Sequence, residues 1–110
     1  MSVTYVIEFD VREGKRELFL KLLGEVLSTM KHEATYRAAT LHVSADNPLR
    51  YLLVETWADH QEVLDVQVHR PYRREWHAAL PELLDGPRRI SIWTQVDASG
   101  GPLPYRQFGP

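Results

Sequence analysis

Tyr36-Arg37-Ala38-Ala39-Thr40-Leu41-His42-Val43-Ser44, then Ala45-Asp46-Asn47-Pro48-Leu49, then Arg50-Tyr51-Leu52-Leu53-Val54-Glu55-Thr56-Trp57 is the stretch whose reading decides the fold. Its centre is turn chemistry, because Asp and Asn side chains bond their own backbone and Pro presets φ. Both flanks are β-rich, so the whole reads as an antiparallel hairpin. Side chains alternate along a strand, which puts Tyr51, Leu53, Glu55 and Trp57 on one face and Leu52 and Val54 on the other.

On the N-terminal side, residues 3–11 alternate, with Val3, Tyr5, Ile7, Phe9 and Val11 on the drier face of a first strand. Glu13-Gly14 breaks it. Leu18, Phe19, Leu22, Leu23, Val26, Leu27 and Met30 then recur at helical spacing, predicting a helix to about Lys31.

On the C-terminal side, Asp59 followed by Glu62 resembles a capping box, with the Asp accepting an orphan amide and the Glu reaching back. A helix should begin near His60. Pro71 cannot donate a helical bond but suits a first turn, so the region divides into two short helices with a kink. The second, over residues 72–84, carries Tyr72, Trp76, Ala79, Leu80 and Leu83 on one stripe and stops at Asp85-Gly86-Pro87. Residues 89–96 form the fourth strand.

The order β-α-β-β-α-β is an α+β, ferredoxin-like arrangement, a four-stranded antiparallel sheet with its helices on one face. The domain occupies residues 1–97. Residues 98–110, rich in Gly and Pro but holding Tyr105 and Phe108, form an extension suited to docking on a partner subunit. The uncovered sheet face would expose Val6, Leu52 and Val54, and burial against the same face of a second copy predicts a homodimer.

Composition narrows the function. The 110 residues carry 13 Lys and Arg against 15 Asp and Glu, too balanced a charge to draw in nucleic acid. Without cysteine there is no disulfide, no thiolate metal site and no cysteine nucleophile. No Gly-rich phosphate cradle, nucleophile elbow or zinc-protease helix pattern occurs. His69 and His77 flank Pro71 without a ligand-set spacing, so neither a metal nor a cofactor is expected. No stretch approaches the roughly 20 apolar residues of a membrane span, and the N-terminus does not resemble a secretion signal; the reading is a cytoplasmic protein without a membrane partner.

Several side chains invite two readings. Glu55, on an otherwise apolar strand face, is either bonded structurally or set in a wet cleft. Trp57 is core or cleft wall, and Tyr5 and Trp93 fill the core or line the cleft from strands one and four. Tyr72 and Trp76 pack the sheet or roof the cleft. His69 and His77 are of the residue type suited to a general base near neutral pH, or are exposed helix positions.

Leu41-His42, Asp46-Asn47-Pro48-Leu49-Arg50-Tyr51, Val54-Glu55-Thr56-Trp57 and Leu80-Pro81-Glu82-Leu83-Leu84-Asp85-Gly86-Pro87 together resemble the antibiotic biosynthesis monooxygenase family, as does the turn Arg12-Glu13-Gly14-Lys15. The resemblance covers residues 3–97. It implies a dimeric α+β barrel with a cleft between sheet and helices, and a cofactor-independent, quinol monooxygenase-like oxidation of a small aromatic hydroquinone or enol-like substrate by dioxygen. An isomerase or dehydratase, or a ligand-binding protein without catalysis, would use the same fold.

Trp57 matches an aromatic that lines the cleft in several members, and Glu55 an acid on the same face. The strand-one Asn of the haem degraders is Ile7 here, which speaks against haem cleavage. Counting from Trp57 puts Val66 and Pro71 where the quinol-oxidising and isomerase branches carry histidines, with His69 close by. Thr35-Tyr36 stands in place of the usual Gly-Cys, and Ala39 in place of a Tyr. Catalytic candidates are therefore His69, His77 and Glu55; substrate-binding candidates are Trp57, Tyr72, Trp76, Tyr5 and Trp93.

Overall fold

Alternation on the first strand sets the architecture. β1 (Val3–Asp10) buries Val3, Tyr5, Ile7 and Phe9 and leaves Thr4, Val6, Glu8 and Asp10 half-exposed on its other side. In the computed structural model, which describes residues 2–96, it is followed by α1 (Arg16–Met30), β2 (Tyr36–Val43), β3 (Arg50–Trp57), α2 (His60–Asp65), α3 (Arg74–Leu83) and β4 (Arg89–Trp93). Single 3₁₀ turns at Gln67–His69 and Pro71–Arg73 link α2 to α3.

The strand order is β2-β3-β1-β4, every neighbouring pair antiparallel, which is the ferredoxin-like topology. β1 and β3 pair along their full length, from Val3 opposite Trp57 to Asp10 opposite Arg50. The hairpin turn is built as its residues dictate: Asn47 Oδ1 accepts the Leu49 amide at 2.9 Å, and the Ser44 amide donates to the Arg50 carbonyl at 2.8 Å. Between β1 and α1 the chain turns through Gly14 at φ +83°, a left-handed conformation that only glycine adopts without steric cost.

The helices lie on the Phe9 face. Phe9 meets Phe19 of α1 edge-on, with ring centroids 5.1 Å apart, and Trp76 of α3 lies 5.8 Å from Phe9 and 5.6 Å from Phe19. These three rings join both helices to the sheet and to each other. Leu22, Leu23, Val26, Met30, Leu53 and Leu83 complete the core around them.

Three features differ from the sequence reading, each for a physical reason. β4 ends at Trp93 rather than at residue 96, because Trp93 already pairs with Thr4 and β1 begins one residue before that. Tyr72 lies in the 3₁₀ turn that Pro71 opens, so α3 starts at Arg74. At α2, Asp59 caps the helix by accepting the Glu62 amide at 2.9 Å, but Glu62 does not reach back: its carboxylate accepts from Thr35 Oγ1 and Gln67 Nε2, each at 2.9 Å, and so ties the β2 approach to the 3₁₀ turn. The extension expected at residues 98–110 lies outside the described residues.

Among the described residues nothing covers the opposite sheet face. Thr4, Val6, Leu52, Val54 and Thr56 stand there half-exposed, and Trp93 is 58% exposed. Glu8, Arg50, Asp10 and Arg89 form an ion-pair ladder at one end of this face, with Arg50 3.1 Å from Glu8 and Arg89 2.8 Å from Asp10.

Since Phe19 is fully buried between sheet and α3, Phe19→Ala should lower the unfolding free energy by about 3–5 kcal/mol in urea titration. Loss of the α2 cap by Asp59→Ala should cost only about 1 kcal/mol in the same measurement.

Candidate active site

The short α2 and the break at Pro71 leave the β4 side of the sheet without a helix pressed onto it. A cavity of about 270 Å³ opens there. Its floor is Tyr5, Ile7, Leu53 and Glu55, with Ile90 and Ile92 at the edge. Val63, Leu64, Val68 and Trp76 face them from the helical layer, together with Leu23 and Val26 of α1. Ile90, Ile92, Leu64 and Val68 remain exposed and form an apolar rim. Into this lining project six polar side chains, Tyr5, Glu55, His60, Arg73, His77 and Arg88. His77 and Arg88 also line an outer cavity of about 540 Å³ bounded by Arg12, Leu80, Pro81, Leu84, Gly86 and Pro87, so the two spaces meet at this pair.

Glu55 is only 7% exposed, and its Oε1 accepts the Trp57 indole N–H at 2.9 Å. Its two sequence readings are both realised: the carboxylate is structurally bonded and it lines the cleft. Trp57 itself is fully buried behind Glu55, edge-on to Tyr36, and is not among the residues lining the cavity. It acts on the cleft through the carboxylate it holds. The Arg73 guanidinium lies over both Trp57 and Tyr72, 5.7 and 5.6 Å from their ring centroids.

Across the sheet from Glu55, Tyr5 Oη lies 2.7 Å from His60 Nδ1. Burial pushes the Tyr5 phenol above its ordinary pKa, and the negative charges of Glu55 and Asp59 add to the effect. The phenol therefore keeps its proton at neutral pH while hydrogen-bonded to the His60 ring. His77 is displaced downwards, first by burial and then by the cationic fields of Arg88 and Arg73, so at pH 7 it is a neutral imidazole able to accept a proton. Burial also lowers the proton affinity of Arg88; Arg73 adds to this and Glu55 opposes it.

Of the residues singled out from sequence, Tyr5, Glu55, Trp76 and His77 come together in the cleft. The others do not line it. His69 is exposed at the end of its 3₁₀ turn, since Pro71 restarts the helix before a second turn can carry the ring inwards. The Tyr72 hydroxyl donates to Glu33 Oε2 at 3.0 Å, joining a polar cluster in which Arg70 also bonds Glu33. Trp93 pairs with Thr4 and therefore faces the open side of the sheet, away from the cleft.

Sequence reasoning missed His60, Arg73 and Arg88. His60 carried a legible signal as the first residue of α2, but counting from Trp57 directed attention to Val66. The two arginines had none, because short basic clusters at a helix start and a strand start read as solvated.

A βαββαβ chain with its helices on one face of a four-stranded antiparallel sheet, and a cleft between them and the β4 edge, is a ferredoxin-like α+β protein. Residues 2–79 match the antibiotic biosynthesis monooxygenase family, and the chain belongs to it. No curated protein is matched by sequence. Among solved structures the chain is similar to Rv0793 of Mycobacterium tuberculosis, with a TM-score of 0.81, 23% identity, and coverage of 91% of this chain and 100% of that one. It is similar to a protein of Shewanella oneidensis at TM-score 0.75 and 25% identity, covering 86% and 90% of the two chains. A third is SnoaB of Streptomyces nogalater, a cofactor-independent oxygenase, at TM-score 0.77 and 19% identity, covering 91% and 98%. Among the described residues no helix is long and apolar enough to cross a membrane.

The downward displacement of His77 has a measurable consequence. Its titration by NMR should have a midpoint below the ordinary histidine value of about 6.5, and Arg88→Gln should move that midpoint upwards. Because the folded-state pKa lies below the unfolded one, His77 does not oppose folding at neutral pH. Stability should fall as pH drops below the unfolded value, and the fall due to this residue should end below the folded one.

Proposed function

We propose that the protein is a cofactor-independent monooxygenase acting on a small aromatic hydroquinone or enol-like substrate. The observation that carries this reading is a neutral His77 lining an apolar cleft that also holds the Tyr5–His60 pair and the Arg73 guanidinium. Membership of the monooxygenase family supports it.

The substrate's acidic O–H gives its proton to His77. A base whose proton affinity is low at rest works here because the cleft stabilises the other product of the transfer, the substrate oxyanion, through the Arg73 guanidinium and the protonated Tyr5 phenol. Glu55, held by Trp57, is a second acceptor on the cleft floor. His69 stands outside the cleft, so the base role falls to His77.

The electron-rich anion passes one electron to dioxygen, and the resulting carbon radical and superoxide join through a new C–O bond. The peroxide then loses water. For a reacting methylene the balance closes without a cofactor: the carbon loses two hydrogens and gains one oxygen, the second oxygen leaves as water, and the substrate supplies all four electrons.

An oxygen electrode with a panel of hydroquinones and anthrones tests this. Uptake of one O₂ per substrate is expected, His77→Gln should lower kcat by about 10²–10⁴-fold, and kcat/KM should fall on the acid side with a pKa below the ordinary histidine value. Substrate conversion without oxygen uptake would assign the cleft to an isomerase or dehydratase instead. Retention of a ligand without turnover would make it a binding module.

The working unit in this reading is a homodimer joined through the open sheet face. Val6, Leu52, Val54 and Trp93 supply the apolar area, and the Glu8, Arg50, Asp10 and Arg89 ladder a polar border. A buried charge without a partner is costly, so Val54→Asp should shift the mass seen by light scattering from dimer to monomer while the far-ultraviolet circular dichroism stays native.

A further inference from the structure

The charge in the cleft does not balance. Two guanidinium groups, Arg73 and Arg88, face one carboxylate, Glu55, and that acid already accepts a hydrogen bond from Trp57. Arg73 is partly occupied by the rings beneath it, although its Nε is buried without a hydrogen-bond partner. The Arg88 guanidinium has no hydrogen-bond or ion-pair partner among the described residues and interacts with Glu55 only through space. A half-buried cation left unpaired is unfavourable, and proteins keep such groups where a ligand supplies the missing charge. The proton transfer described above does not require Arg88.

Its position suggests what it holds. Arg88 lies where the inner and outer cavities meet, with His77 beside it. The inner cavity, about 270 Å³ and apolar, has room for one ring with substituents or two fused rings, given that a cavity of about 150 Å³ takes benzene. We propose that the substrate is an aromatic carboxylate, its ring in the inner cavity and its carboxylate paired with the Arg88 guanidinium at the junction. A planar fork of N–H donors matches a carboxylate through two parallel hydrogen bonds. A neutral His77 adds at most one more donor, and Arg73 lines only the inner cavity, so the junction offers one full positive charge to a monoanion rather than the two that a phosphate dianion would use.

This specificity rests on the reading of the cleft as the substrate site, and the test separates the two. Binding of 2-naphthoate, its methyl ester and 2-naphthyl phosphate is measured by tryptophan fluorescence, since Trp76 lines the cavity. The acid should bind at least about tenfold more tightly than the ester, the range expected for a hydrogen bond to a charged group. Arg88→Gln should abolish that preference while leaving ester affinity unchanged, and Arg88→Lys, which keeps charge but not the fork, should retain part of it. Bound naphthoate should also raise the NMR titration midpoint of His77, whereas the ester should not.

Equal binding of acid and ester to the wild-type protein, or equal weakening of both by Arg88→Gln, would overturn the carboxylate assignment and leave the cleft reading standing. Tighter binding of the phosphate, with the same dependence on Arg88, would overturn it in favour of a phosphorylated ligand. Failure of all three probes to bind would remove the substrate-cleft reading and this inference with it.

Discussion

The structure depends on one-sided burial of β1 and β3. Every second residue of each strand is withdrawn from water against α1 and α3, and the Phe9, Phe19 and Trp76 rings join the sheet to both helices at one point. The aromatic edges meet at angles their quadrupoles favour, so the contact gives orientation as well as area. Because this anchor sits toward one end of the helical layer, α2 and the two 3₁₀ turns are left to cover the remainder. They are too short to do so, and the cleft is the volume they leave unfilled. Core and site are thus two outcomes of the same packing.

Within that volume, polar groups are held by hydrogen bonds to neighbouring side chains. Trp57 fixes Glu55 from behind, and His60 fixes Tyr5 from above. Desolvation keeps the Tyr5 phenol protonated and His77 neutral at pH 7. A phenol that keeps its proton and an imidazole that can take one therefore line the same apolar space. The cations Arg73 and Arg88 set a positive field over the same space, which favours any anion formed or bound there.

The placement of the other candidates follows from strand parity and helix phase. Trp93 is an aromatic on a strand, as Tyr5 is, but its pairing with Thr4 instead of Tyr5 puts it on the opposite side of the sheet. His69 and His77 stand on either side of Pro71, yet only His77 belongs to a helix long enough to direct its side chain across the sheet. A residue's type suggested a role in each case, and one step of register decided whether the role was available.

The hairpin, the alternation of β1, the α1 stripe and the Asp59 cap were legible in the sequence because each rests on spacing within a few residues, where backbone geometry and side-chain period act directly. The family was legible too, through the order of its short segments. Glu55 could be placed on a buried face, since period 2 requires it. The meeting of Tyr5 with His60, the withdrawal of Trp57 from the cleft wall, and the half-burial of Arg73 and Arg88 were decided only by tertiary structure. Each joins residues from different elements, and local spacing does not encode the distance between side chains that only the packed core brings together.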